Sequence, residues 1–281
     1  MNTYLVTGST GNVGSQVARA LIEAGEGVRA LVRSPDRAVA LPAGAEAVVG
    51  DLNRPDTLPL DGVAGAFLPS GYDDFHTTLR RMREAGVQRV ALLSSSAVPL
   101  GDLTNAVARY HIESEAAVKE SGLGWTMLQP NGFMTNALQW VRQLQAGDIV
   151  QAPFAGVRTA QIDPADIGAV AATALVTGAH DGRSYRLSGP ESLLAAERVA
   201  ILARVLDRPL VFEAQSDDEA RAEMSAAMPE PYVDAFFSFF VDGTLDESEV
   251  LPTVESVLGR PPRSFEAWAR ANAGRFGKAA G

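Results

Sequence analysis

Short apolar runs alternate with helically spaced patterns along the first half of the chain. TYLVTG (3–8), GVRALVR (27–33), AEAVVGD (45–51), VAGAFLPS (63–70), VQRVALLSS (87–95) and GWTMLQP (124–130) read as strands. Runs this continuous fit strands buried on both faces. Val13 to Ala24 sets Val13, Val17 and Leu21 on one side, and 72–86, 104–122 and 131–146 carry similar helical spacing. The link 53–62 holds two prolines and reads as a turn or short helix. Strand–helix alternation of this kind predicts a parallel sheet covered on both faces, with right-handed crossovers.

The rhythm loosens after residue 147. QIDPADIGAVAATALVT (161–177) predicts a short strand and then a helix entered through Pro164 and capped by Asp163. YRLSG (185–189) reads as a strand, SLLAAERVAILARVL (192–206) as a helix and PLVFEA (209–214) as a last strand. The remainder, 216–275, reads as mostly helical and includes the aromatic run VDAFFSFFVDG (233–243); GKAAG (277–281) reads as a frayed tail. The expected architecture is α/β: a doubly wound, mainly parallel sheet with a smaller, mostly helical C-terminal lobe. Residues 1–130, with 160–190 returning, form the sheet domain. Residues 131–159 and 191–281 form the lobe, which closes over the sheet's carboxyl edge, where such sheets bind ligands.

Composition narrows the function. The 281 residues contain no cysteine, which removes disulfides, thiolate metal sites and a cysteine nucleophile. A formal charge of −10 disfavours a nucleic-acid partner. Arg80, Arg81 and Arg83 share one helix and read as a solvated face. No apolar run reaches the roughly 18 residues of a membrane span, and no secretory signal is visible. The expectation is a cytoplasmic protein, monomer or homodimer, that acts on a small molecule.

TGSTGNVG (7–14) ends the first strand and opens the first helix. Gly8 permits the tight turn, Gly11 lets backbone approach a pyrophosphate, and Gly14 lets helix and strand pack closely. The amides around Thr10, Gly11, Asn12 and Val13 then face the phosphates. Three glycines in this context mark a Rossmann-type dinucleotide site. The second strand ends in ALVRSP (30–35), so Arg33 stands where a ribose-binding carboxylate selects NAD(H). Arg33, assisted by Arg37, suits a 2′-phosphate, which favours NADP(H) over NAD(H). Asp51, in GDL with Leu52, is placed to accept from an adenine amino group. Leu68, Pro69 and Ser70 end the fourth strand and are expected to flank the middle of the cofactor.

The GxxGxxG spacing resembles that of short-chain dehydrogenase/reductases. With ALVRSPDRA (30–38), GVQRVALLSSS (86–96), HIESEAAVKESGLGWTMLQPNGFMTN (111–136), DPADI (163–167) and YRLSGPE (185–191), the chain resembles the NmrA-like branch of atypical members. Its pattern is nearest the NAD(P)H-dependent quinone oxidoreductases. The resemblance implies either a reductase or a non-catalytic redox-sensing regulator. It also implies a cofactor- or substrate-facing serine among Ser94, Ser95 and Ser96, with Ser94 the candidate on the cofactor side and Ser96 on the substrate side. Gln129 departs from the family, which usually has arginine there.

Tyr110 sits where such enzymes place a catalytic tyrosine, but the lysine four residues on is replaced by Ser114. Ser114 is in reach of the phenol yet brings no charge, and Lys119 lies roughly 180° around the helix. An unassisted phenol is a poor base at neutral pH. Alcohol oxidation and sugar-nucleotide epimerisation are therefore disfavoured. Reduction of a quinone or activated alkene remains, because water, Tyr110 or His111 can protonate the resulting anion. His111 and Glu115 share a helix face and read either as an oriented histidine or as a surface pair. Pro130 and Asn131 are expected to line the nicotinamide. Phe133, Trp140, Phe154 and part of the run Phe236, Phe237, Phe239 and Phe240 are candidate walls for a flat substrate. Asp163 and Asp166 read as helix-capping carboxylates rather than a metal pair.

Overall fold

The computed structural model describes residues 1–277, so most of the GKAAG tail falls outside the described residues. The strands are β1 (Thr3–Val6), β2 (Gly27–Val32), β3 (Glu46–Val49), β4 (Val63–Pro69), β5 (Arg89–Leu93), β6 (Gly124–Pro130), β7 (Ile149–Ala152), β8 (Arg183–Leu187) and β9 (Val211–Ala214). The helices are α1 (Gly14–Glu23), α2 (Phe75–Glu84), α3 (Ala106–Glu120), α4 (Val141–Ala146), α5 (Pro164–Val176), α6 (Ala195–Leu206), α7 (Asp217–Ala227), α8 (Glu230–Phe240), α9 (Thr253–Leu258) and α10 (Phe265–Asn272). Seven strands form one sheet in the order β3-β2-β1-β4-β5-β6-β8, every neighbouring pair parallel. The expected doubly wound α/β architecture is therefore present. The chain winds outward from β1 to β3 and then returns to β4, so the order reverses between β1 and β4. That reversal opens a crevice at the carboxyl ends of the strands.

The apolar strand runs divide by the pleat. Tyr4 and Val6 of β1, Phe67 of β4, Ala91 of β5 and Leu128 of β6 pack on one face with Val17, Leu21, Ile167 and Ala171. Leu5, Leu68, Leu92 and Met127 pack on the other with Leu79, Met82 and Val118. Both faces are buried, which is why the strands lack polar alternation. α1 and α5 lie side by side with little space between their backbones: a Cβ on Gly168 would sit 2.6 Å from the Gln16 carbonyl carbon and 2.8 Å from the Val17 nitrogen.

Beyond the main sheet, β7 and β9 pair in parallel as a separate ribbon. They share an apolar cluster with Trp140, Leu144, Val199, Leu202, Phe265, Trp268 and Phe276. Three expectations are corrected here. The helix expected over 131–146 does not start at 131, because the Asn131 amide still donates to Leu187 O and Phe133 bridges Ile162. A 3-10 turn follows at Met134–Trp140, and α helix begins only at Val141. The strand expected near 161 is reduced to that single bridge, since Asp163 caps α5 by accepting from Ala165 N at 2.9 Å. Asp166 caps nothing through its side chain. It is fully buried and accepts from Arg260 Nη1 (2.8 Å) and Arg263 N (2.7 Å). None of the described helices is long and apolar enough to cross a membrane.

The α1–α5 contact yields a direct test. Gly168→Ala forces a methyl into backbone and is expected to cost about 1–3 kcal/mol of stability, read by urea denaturation; an unchanged midpoint contradicts the close approach.

Candidate functional site

The crevice begins at the glycine turn. Gly8 has φ +61°, which a glycine adopts without strain. A Cβ on Gly14 would overlap the Gly8 carbonyl oxygen and lie 2.7 Å from Thr7 O, so α1 can start against β1 only with glycine there. α1 has no side-chain cap and no acidic residue in its first turn. The amides of Thr10, Asn12 and Val13 donate to no acceptor among the described residues. Unsatisfied amides at a helix N-terminus carry partial positive charge and fit a diphosphate. The Val13 side chain is buried in the core, so that residue offers the crevice only its amide.

Beside the turn is a cavity of about 250 Å³ lined by Gly8, Thr10, Arg33, Arg37, Asp51, Leu52 and Tyr72 among others. Arg33 and Arg37 are exposed. Among the described residues, neither guanidinium has a hydrogen-bond or ion-pair partner. Asp51 accepts from Asn53 N at 3.0 Å and lies 3.6 Å from Arg54 Nε. Tyr72 was not anticipated; burial, opposed by nearby Arg33, pushes its phenol up.

Further along the carboxyl edge, Pro69, Ser70, Ser94, Tyr110, His111, Pro130, Asn131 and Phe133 come together around a cavity of about 460 Å³, with Phe236, Phe239, Phe240 and Leu245 opposite. Leu68 does not join them: the pleat turns it into the core beneath. The aromatic run is divided, because Phe237 packs instead with Ala220 and Val233.

The α3 side chains are arranged differently from expectation. Ser114 does not reach the Tyr110 phenol. Its hydroxyl donates to Tyr110 O (2.7 Å) and accepts from Gly71 N (3.0 Å), tying the β4 loop to α3. Gly71 has φ +88°, and a Cβ there would lie 3.2 Å from the Tyr110 ring. Burial raises the Tyr110 phenol above its ordinary 10, so it holds its proton at neutral pH. His111 packs on Tyr110 with ring centroids 4.1 Å apart. Burial pushes its imidazole down to about 4, so the ring is neutral, and Nδ1 has no partner.

Glu115 does not pair with His111. It is buried and turned toward the sheet, where it accepts from Ser94 Oγ (2.6 Å), Gln129 Nε2 (2.8 Å) and Lys119 Nζ (3.1 Å). A buried carboxylate needs both charge and hydrogen bonds, and these three groups supply them. Gln129, the departure from the family pattern, serves as a neutral donor to Glu115, and Lys119 brings the cation.

Ser96 lines neither this cavity nor the next. It is buried and donates to Glu247 Oε1 at 2.6 Å. Glu247 was not anticipated. It lies in the irregular segment after α8, is 6% exposed, and accepts Gly132 N at 3.0 and 3.1 Å on its two oxygens. Its backbone carbonyl accepts from Ala160 N (2.7 Å) and Asn131 Nδ2 (3.0 Å). Glu247 therefore stands in the wall between the 460 Å³ cavity and a second one of about 450 Å³ that contains Trp140 and Phe154. Burial raises its carboxyl above 4.5, against the opposing effect of Ser96, Gly132 and two arginines. Only its acidic character is visible in TLDESEV (244–250), where four other acids or hydroxyls compete.

The arrangement is that of a dinucleotide-dependent redox enzyme. A model of NAD(P)H-binding proteins matches residues 8–177, and the chain belongs to that family. It is 39% identical to the (4-alkanoyl-5-oxo-2,5-dihydrofuran-3-yl)methyl phosphate reductase of Streptomyces griseus subsp. griseus, over 97% of this chain and 98% of that one. It is 34% identical to the NAD(P)H azoreductase of Xenophilus azovorans, over 98% and 99%. In fold it matches an NADPH-dependent quinone oxidoreductase from Escherichia coli, with TM-score 0.77 at 21% identity over 98% of this chain and 99% of the other. The protein is an oxidoreductase of the NAD(P)H-binding family, as the motifs from TGSTGNVG onward imply.

Glu247 gives a test with a definite sign. A carboxyl whose folded pKa is raised stabilises the fold while protonated, and loses that contribution as pH rises past its ordinary 4.5. Glu247→Gln, which can still meet Ser96 and Gly132, is expected to gain stability relative to the parent as pH rises above 4.5. Urea denaturation across that range reads the difference, and a pH-independent difference contradicts the burial of the acid.

Proposed function

We propose that the protein is an NADPH-dependent reductase that reduces a quinone or another conjugated, electron-poor small molecule. The observation that carries this reading is the cavity at the carboxyl edge. It is walled by phenylalanines and bordered by a protonated phenol, a neutral imidazole and the Glu247 carboxyl, which burial raises and whose oxygens are taken by Ser96 and Gly132. Lys119 is committed to Glu115 and gives the Tyr110 phenol no charge. Abstracting a proton from an alcohol has no agent here. An acceptor whose added electron pair is delocalised by its own conjugation needs only a proton donor, and the Tyr110 phenol is one.

The residues present fit the cofactor. Thr10, Asn12 and Val13 offer unbonded amides to the diphosphate, Arg33 and Arg37 offer unpartnered guanidiniums to a 2′-phosphate, and Asp51 offers an acceptor to the adenine. When bound, the cofactor supplies the hydride. Pro69, Ser70, Pro130 and Asn131 fix the floor against which the nicotinamide lies. The rings of Phe236, Phe239 and Phe240 hold a flat acceptor and keep water away. Both relatives named above fit this class. The Streptomyces reductase takes a ring alkene conjugated with carbonyls, and the Xenophilus enzyme an azo bond. We place the binding residues Gly8, Gly11 and Leu52 with the cofactor, and Phe133 and Phe154 with the acceptor.

Two experiments decide the matter. With NADPH and a panel of quinones, azo dyes and enones, the protein is expected to consume NADPH faster than the no-enzyme rate on at least one acceptor; tight cofactor binding with no turnover on any of them contradicts it. Arg33→Asp is expected to weaken NADPH about ten- to hundredfold, from loss of a charge-assisted contact, and NADH far less. Equal weakening of both, by calorimetry, overturns the 2′-phosphate assignment.

A further inference from the structure

The 450 Å³ cavity opens from the acceptor site, with Gly132, Asn136, Phe236, Phe240 and Glu247 common to both. Its wall includes Arg198, on the first turns of α6. Arg198 is only 9% exposed, yet no carboxylate pairs with it among the described residues. The acids near it are otherwise engaged. Glu197 turns away to Arg158, which grips it through two bonds of 3.0 Å. Glu247 is held by Ser96 and Gly132. Glu223, exposed at the rim, accepts from Gln215.

The way Arg198 is held shows which edge is free. Nη1 donates to Thr159 Oγ1 (2.8 Å) and Leu193 O (3.1 Å), which fixes the guanidinium plane. Nε and Nη2 donate to nothing among the described residues, and neither is sealed from solvent. These two nitrogens form one edge of the guanidinium. Their hydrogens point the same way, at the spacing of two oxygens of a carboxylate or phosphate. Trp140, 3% exposed, also lines the cavity, although its indole N–H, which has no acceptor, is sealed from solvent. Burying a guanidinium without a counter-ion is costly, and an anion entering the cavity removes that cost. Burial lowers the Arg198 pKa to about 10, which leaves the group charged at neutral pH.

We propose that this cavity is an oxyanion subsite, in which the Nε–Nη2 edge of Arg198 binds a phosphate monoester or carboxylate arm of the acceptor. The subsite stands on Arg198 and its surroundings; only the claim that the arm belongs to a reducible molecule rests on the reductase reading. The acceptor then lies with its conjugated part among Phe236, Phe239 and Phe240 and its anionic arm past Glu247.

The test separates the two claims by measuring binding apart from turnover. NADP⁺-saturated protein, in which the diphosphate site is filled, is titrated with phenyl phosphate, benzoate and neutral benzyl alcohol, by calorimetry and by tryptophan fluorescence. Phenyl phosphate or benzoate is expected to bind, and Arg198→Gln to weaken that binding at least about tenfold while leaving benzyl alcohol unchanged. Tighter phenyl phosphate assigns the arm as phosphate; tighter benzoate assigns it as carboxylate. Arg198→Lys, which keeps the charge but loses the fork, is expected to fall between parent and Gln, and it decides the question if the Gln variant does not fold. No binding of either anion up to about 10 mM, or equal anion affinity in parent and Lys variant, overturns the subsite. Failure of every acceptor to turn over leaves these binding outcomes intact and counts against the reductase reading alone.

Discussion

The contact on which the site depends is the one between Gly14 and the carbonyl of Gly8. A side chain at 14 would collide with that oxygen, so α1 would have to lift away from β1. Held close, α1 presents its uncapped amides at the carboxyl edge of the sheet, where the order reverses between β1 and β4. Satisfying those amides with a side chain would have stabilised the isolated helix. Leaving them open, with no acid in the first turn, makes them available to a diphosphate.

A second constraint governs the chemistry. Glu115 is buried between α3 and the sheet, and its demands are met by Ser94, Gln129 and Lys119. Lys119 thus neutralises a structural carboxylate, and Tyr110 keeps its proton because burial raises its pKa. The same network explains why His111 is isolated: the carboxylate one turn away is taken by Ser94, Gln129 and Lys119. A cavity bordered by a protonated phenol and a neutral imidazole is suited to donating protons, not to removing them. This is the physical basis of the proposal that the acceptor is conjugated rather than an alcohol.

Features set by local sequence were legible in advance. The glycine turn, the six front strands, the Asp163 cap and the Arg33 position all follow from patterns spanning a few residues. Features set by distant partners were not. Glu247 meets Ser96 across 151 positions, and nothing in TLDESEV marks it. The family resemblance implies a substrate-facing serine at Ser96, but its hydroxyl is taken by that carboxylate. β7 is four residues long and exists through its pairing with β9, some sixty residues away. The orientation of Glu115 away from His111 depends on Gln129 of β6, which the helical wheel does not contain. Arg198 sits within the helical run 192–206 with no local pattern to single it out, and only the cavity beside it makes its unpaired edge visible.

The most direct measurement is hydrogen–deuterium exchange of the full chain with and without NADPH. Cofactor binding is expected to slow exchange in peptides spanning 8–16, where the amides of Thr10, Asn12 and Val13 gain an acceptor, and to leave α10 unchanged. Unaltered exchange over 8–16 in protein shown to be saturated with NADPH would contradict the placement of the diphosphate at the start of α1.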